Sequence, residues 1–111
     1  MSELDTEDNK LLVLARGALG RTGGACGAAV RDTDGRTYAA GEVQLTTLRL
    51  TALQAAVAAA ISSGAEGFEA AVVVGGDADD AGIDAVREVS PSAAVIRADR
   101  SGAVRSEVHG G

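Results

Sequence analysis

A chain that must fill a core almost without rings has few ways to do it. Tyr38 and Phe68 are the only residues of their types among 111, and tryptophan is absent. Alanine and glycine take the space instead, with 15 glycines, so helices and strands must approach closely, backbone near backbone. The length leaves room for one domain, residues 1–111, hiding about two thirds of the surface its unfolded chain exposes. With 46% hydrophobic and 23% charged residues, the composition is that of a globular domain. The formal net charge is −6 and Lys10 is the only lysine, a balance that repels nucleic-acid phosphate and anionic membrane. A single cysteine, Cys26, excludes an intrachain disulfide and fits a reducing cytoplasm. One cysteine and one histidine, His109, leave no Cys/His zinc site within one chain.

No export or membrane segment is legible. The start, Met1 to Asp5, is acidic where a secretory signal opens with positive charge. The most apolar window, Leu50 to Ile61, is interrupted by Gln54 and falls short of the roughly 20 residues of a membrane span. The expectation is a cytoplasmic protein.

Thr6 to about Leu19 reads as a helix: Asp5 or Thr6 caps it, Glu7 and Asp8 suit its positive end, and Leu11, Leu12, Leu14 and Ala15 give an apolar face. Gly20 to Gly24 ends it. Ala25–Arg31 and Arg36–Val43 read as strands joined by Asp32-Thr33-Asp34-Gly35, a strong hairpin signal. From Thr46 or Thr47 to Ser63 the period is helical. Leu50, Leu53, Val57 and Ile61 form one stripe there; Ala52, Ala55, Ala56 and Ala59 form another. Such a helix needs covering on nearly every side, and a small monomer has few elements to offer. Ala70–Val74 is wholly apolar, the mark of a central strand. Asp77 to Asp80 then leads into a helix ending near Val89. Ala93–Ala98 and Ala103–Val108 are the last strands, on either side of a turn at Asp99–Gly102. Strands Ala70–Val74 and Ala93–Ala98, joined through a helix, should run parallel with a right-handed crossover. The order predicts a three-layer α/β/α domain on a mixed five-stranded sheet, with a core of about 6–108 and flexible ends at 1–5 and 109–111.

Gly27-Ala28-Ala29-Val30, then Asp34-Gly35-Arg36-Thr37-Tyr38, then Gly41, and the run Thr51 to Ala70 carry a further signal. They resemble the first hairpin and the C-A-E-R-x-A-I-x-x-A-V-S-x-G-x-x-x-F-x-A-I helix of the small cytidine deaminases. Ala52, Ala56, Ala60, Ser62, Gly64, Phe68 and Ala70 match that pattern. The resemblance implies a cytidine deaminase-like fold over about Leu11 to Val108. In that family a thiolate-held zinc activates water and a carboxylate shuttles protons. Here the C-A-E triplet reads Thr51-Ala52-Leu53, and Gly75 to Asp84 holds no cysteine where a P-C-x-x-C pair should start the next helix. The substrate-reading Asn-x-Glu is echoed only by Glu42-Val43-Gln44, and the segment from Gly41 to Thr51 is shorter than the family's. The departures imply a non-catalytic member: no catalytic residue, no metal ligand and no cofactor. They leave a vestigial pocket of Glu42, Gln44, Thr51 and Leu53, which as an alternative function would bind a nucleoside or nucleotide. Active deamination is the third and least favoured reading.

The family's small deaminases are homotetramers, which implies a homo-oligomer, tetramer or dimer, with Leu50, Leu53, Ala56, Val57, Ala60 and Ile61 at the interface. Degenerate members of this kind are typical of actinobacteria, their gene often beside that of a ribosome-assembly GTPase. By that association alone the resemblance implies a scaffold or accessory role with a partner related to ribosome assembly.

The other candidates read as structure. Cys26 is a small buried hydrophobe with nothing basic beside it in sequence, and His109 a tail residue. Asp77, Asp79, Gly82 and Glu88 fall on positions 1, 3, 6 and 12 of a calcium loop, but Ala81 and Asp84 break the pattern and no helix enters it. A helix N-terminus capped by Asp79 or Asp80 is the simpler account. Gly20, Gly23, Gly24 and Gly27 precede a strand, so they form a connecting turn and not a phosphate loop. Arg16, Arg21, Arg31, Arg36 and Arg49 lack interleaved aromatics and read as a solvated face, not an RNA surface.

Overall fold

The computed structural model describes residues 5–75 and 80–109. Asp5 accepts the Asp8 N–H at 2.8 Å and opens helix α1 (Thr6–Thr22), which stops at Gly23 in the left-handed conformation. The helix outruns the expected Leu19 and ends where the Gly23 N–H bonds the Leu19 carbonyl at 3.1 Å. Strand β1 (Gly27–Asp32) turns through Asp34-Gly35 into β2 (Thr37–Gly41). That turn hangs on Asp32, 1% exposed, which accepts the Asp34 and Arg36 N–H groups at 2.9 Å and the Tyr38 hydroxyl at 3.4 Å.

The next segment departs from the sequence reading. Thr46 and Thr47 begin no helix. Two short strands, β3 (Val43–Gln44) and β4 (Arg49–Leu50), pair about a turn closed by the Leu45 N–H on the Leu48 carbonyl at 2.9 Å. Helix α2 (Ala52–Ser62) starts only behind Thr51. Adjacent β-branched threonines favour extended chain, and Thr51-x-x-Gln54 is a capping box. The Thr51 hydroxyl accepts the Gln54 N–H at 3.0 Å while Gln54 Oε1 accepts the Thr51 N–H at 2.9 Å. Strand β5 (Phe68–Val74), helix α3 (Gly82–Val89), β6 (Ala94–Ala98) and β7 (Val104–His109) complete the chain.

The strands lie in the order β2-β1-β5-β6-β7, with β5 and β6 parallel and the other pairs antiparallel. This is the expected mixed five-stranded sheet. The backbone of His109 belongs to it, opposite Ala94, and so is not part of a frayed tail. Helix α1 covers one face, Leu11, Leu12, Ala15 and Leu19 packing on Ala29, Val72, Val74 and Ile96. Helices α2 and α3 cover the other, Leu53, Ala56, Val57 and Val86 packing on Ala28, Val30, Ala71 and Val73. Cys26 is buried within this second cluster. The close approach expected of an alanine-glycine core is real: a Cβ on Gly27 would stand 2.3 Å from the Ala15 carbonyl oxygen. Among the described residues no helix is long and apolar enough to cross a membrane.

One expectation needs correcting. Leu53, Ala56, Val57 and Ala60 are 0%, 0%, 7% and 0% exposed within the chain itself, so they have no surface left for a second copy. Of the six residues assigned to an interface, Leu50 is half-buried and Ile61 exposed; the open side of α2 is Ala58, Ala59 and Ile61.

Candidate functional site

Gly41, Gly27, Val74 and Ala98 stand in register at one end of the sheet, where β2, β5 and β6 finish. The chain leaving β2 there makes the β3–β4 hairpin and turns into α2 at Thr51; the chain leaving β5 enters α3 after Asp80. Asp80 is 9% exposed. Its Oδ1 accepts the Thr51 hydroxyl at 2.5 Å and the Gly82 N–H at 2.7 Å. One carboxylate oxygen thus ties the cap of α2 to the first turn of α3, with charge-assisted bonds at two positive helix ends. The formal cap of α3 is Ala81, which offers no side-chain bond, so Asp80 serves in its place. The two helices meet closely here. A Cβ on Gly82 would lie 2.5 Å from Leu53 Cβ and 2.6 Å from the Gln54 nitrogen.

Beside this junction lies an open groove of about 500 Å³, lined by Glu42, Gln44, Leu45, Arg49, Thr51 and Gln54 among others. The fold therefore brings Glu42, Gln44 and Thr51 to one groove. It does not bring Leu53, which is fully buried in the core. Glu42 is spoken for at both oxygens: Oε1 accepts the Ala25 N–H and Oε2 the Gln44 side-chain amide, each at 3.0 Å. It fastens the hairpin to the start of β1.

A zinc site of the kind implied by the sequence resemblance does not fit these residues. Thr51 offers a neutral hydroxyl that already accepts one hydrogen bond and donates another, and the adjacent carboxylate position is the alkyl side chain of Leu53. Among the described residues no three His, Cys, Asp or Glu side chains gather closely enough to hold a metal ion. Asp77 and Asp79 of the acidic loop lie outside the described residues; of its other two members, Gly82 opens α3 and Glu88 is exposed on it.

Sequence reasoning offered Asp80 as a helix cap, which its bond from the Gly82 N–H makes it, but missed its tie to Thr51 and the part played by Gln54. Gln54 had a local signal, the Thr-x-x-Gln spacing. Asp80 pairs with Thr51 across 29 positions, a contact no local pattern announces. Two of the early arginines have definite partners. Arg31 pairs with Asp8 and Glu69 at 3.0 Å each; burial pulls its guanidinium down, but the hydrogen bonds to Glu69 and Asp8 outweigh that and hold it above its ordinary value. Arg49 instead reaches the Leu45 carbonyl at the hairpin turn.

Comparison with known proteins places this geometry. A family model described as cytidine deaminase-like matches residues 4–102. The solved cytidine deaminase of Burkholderia pseudomallei is 22% identical, covers 91% of each chain and gives a TM-score of 0.77. That of Mycobacterium leprae is 18% identical over 91% of this chain and 93% of its own, with a TM-score of 0.66. That of Mycobacterium tuberculosis is 24% identical over 93% and 90%, with a TM-score of 0.64. At such identities the structural likeness is one of fold. No curated protein sequence matches the chain.

Proposed function

The chain belongs to the cytidine deaminase-like family, and we propose that within it the protein is a non-catalytic member, a cytoplasmic oligomeric scaffold or accessory protein. The observation that carries this reading is the bond from the Thr51 hydroxyl to Asp80 at 2.5 Å, beside a Leu53 with no exposure. Deamination in this family needs an activated water and a carboxylate to move protons at the reacting base. At the matching positions this chain has a hydroxyl used for helix capping and a side chain with no proton to give. The hydrogen bond ties the two helix starts together through this chain's own side chains, which supports a fold kept without the reaction.

The test is direct. Protein purified with and without added zinc is assayed on cytidine and its metal content measured. The expected result is no turnover and zinc far below one per chain; zinc-dependent deamination at stoichiometric loading would overturn the reading. The scaffold part is supported by exposed apolar side chains on separate elements, Leu45 and Leu48 on the hairpin and Ile61 on α2. Light scattering should give a multiple of the chain mass that Ile61→Glu reduces, and a monomer at tens of micromolar would count against it. A pull-down from native cytosol, with and without RNase, should enrich a defined partner, ribosome-assembly factors first among those to look for.

A second reading has one observation in its favour: the groove beside Thr51 is open, and Gln44 and Arg49 line it. A nucleoside held there would raise the melting temperature. No shift with cytidine, deoxycytidine or uridine would leave the groove without that role.

A further inference from the structure

We propose that β6, the turn after it and β7 build a separate anion site, sized for a phosphate group on a small molecule. A cavity of about 350 Å³ opens there, lined by Gly75, Arg97, Asp99, Arg100, Arg105 and Ser106. Arg97 and Ser106 face each other in the β6–β7 register. Arg97 Nε and Ser106 Oγ are both buried, and neither has a hydrogen-bond partner. Folded proteins leave few buried polar atoms unpaired, and these two belong to residues that line one cavity.

The charge around the cavity points the same way. Of the described residues, no carboxylate pairs with Arg97 or Arg100. Among the described residues Asp99 is the one acid lining the cavity, and its oxygens are already engaged. Oδ1 accepts the Ser101 and Ala103 N–H groups at 2.9 and 3.1 Å and the Ser101 hydroxyl, while Oδ2 meets Arg105 at 3.0 Å. Among the described residues, three arginines against one committed aspartate make a local positive field in a chain whose net charge is −6. Gly75 makes room for it, since a Cβ there would stand 3.1 Å from Arg100 Cγ and 2.5 Å from the Ala25 carbonyl oxygen.

The site lies at the carboxyl ends of the parallel pair β5 and β6, the edge where open α/β sheets collect ligands. Guanidinium groups grip a tetrahedral oxyanion through paired N–H donors, which a scatter of lysines would not do. The occupant is small. The cavity has no aromatic platform on which bases could stack, and the acidic remainder of the surface repels a polyanion. None of this depends on whether the groove at Thr51 is catalytic.

The test is an amide-resolved NMR titration of the full chain with inorganic phosphate and pyrophosphate, against sodium chloride at equal ionic strength. Arg97→Gln and Arg100→Gln are the variants, and Arg36→Gln, in the first hairpin's turn at the opposite end of β1, is the control. The expected result is saturable shifts at Gly75 and from Arg97 to Ser106 that chloride does not reproduce. Each of the two variants should weaken binding by about tenfold, one charge-assisted contact's worth, and Arg36→Gln should leave it unchanged. Should Arg97→Gln fail to fold, Arg100→Gln decides, because Arg100 is exposed. No saturation with either anion, equal loss in the control, or saturable binding only to a single-stranded RNA oligonucleotide would each overturn the proposal.

Discussion

Thr51 joins two helices with a hydroxyl that accepts from Gln54 and donates to Asp80. Thr51→Val keeps the shape and loses both bonds, leaving the buried Asp80 carboxylate with the Gly82 N–H as its one remaining donor among the described residues. The expected cost is about 2 kcal/mol in denaturant unfolding, while Thr51→Ser stays within about 0.5 kcal/mol. Leu53→Glu restores the family's carboxylate in sequence but puts it where nothing is exposed. It should cost about 3 kcal/mol or more and recover no deamination; a variant as stable as the parent would show that position 53 is not core. The Ser101 hydroxyl first, then the Ala103 and Ser101 N–H groups and Arg105, hold the Asp99 carboxyl below the ordinary aspartate value. A group lowered on folding stabilises fully above its unfolded value, near pH 4, and that contribution drains away as pH falls through the folded value. Asp99→Asn should therefore be less stable than the parent at neutral pH and converge with it in acid, as parallel thermal melts would show.

The elements differ in how plainly the chain announces them. Asp5, Gly23 and the Asp-Gly turn are local signals, and α1, β1 and β2 follow them closely. The apolar run Ala70 to Val74 marks β5 because both its faces are covered. The start of α2 misleads because Leu50, Leu53 and Val57 keep a helical period into residues that form a strand. The capping box at Thr51 overrides that period by supplying the N–H groups with partners at once. The site was half legible for the same reason. Glu42, Gln44 and Thr51 are near in sequence, but the Thr51–Asp80 bond and the Arg97–Ser106 pair arise only when α2, α3, β6 and β7 dock. Two glycines measure that docking. Gly82→Ala puts a methyl against Leu53 and the Gln54 main chain, so it should cost about 2 kcal/mol despite better helix propensity. Gly20→Ala, in α1 with nothing within 4 Å of the new methyl, should gain about 0.5–1 kcal/mol. Opposite signs in paired unfolding curves would confirm that α3 sits hard against α2.

The molecule as a whole is two thin apolar layers on either face of one sheet, filled by alanine, valine and leucine. Phe68 is one of the few large side chains in them, and Tyr38 stands at the margin of the second layer. Both layers rest on the sheet's pairing, so loss of one hairpin exposes residues of each. The scarcity of rings has an optical consequence. Without tryptophan, the near-ultraviolet emission of this protein belongs to the single phenol of Tyr38, whose hydroxyl lies 3.4 Å from an Asp32 oxygen. An excited phenol beside a proton-accepting carboxylate loses part of its emission to proton transfer. The folded protein should thus be dim and brighten on denaturation, and Asp32→Asn should brighten it while still folded. Equal intensity in native and unfolded protein would mean that the contact is not kept in solution. Where most proteins report unfolding from many fluorophores at once, this one reports from a single lamp at the closure of its first hairpin.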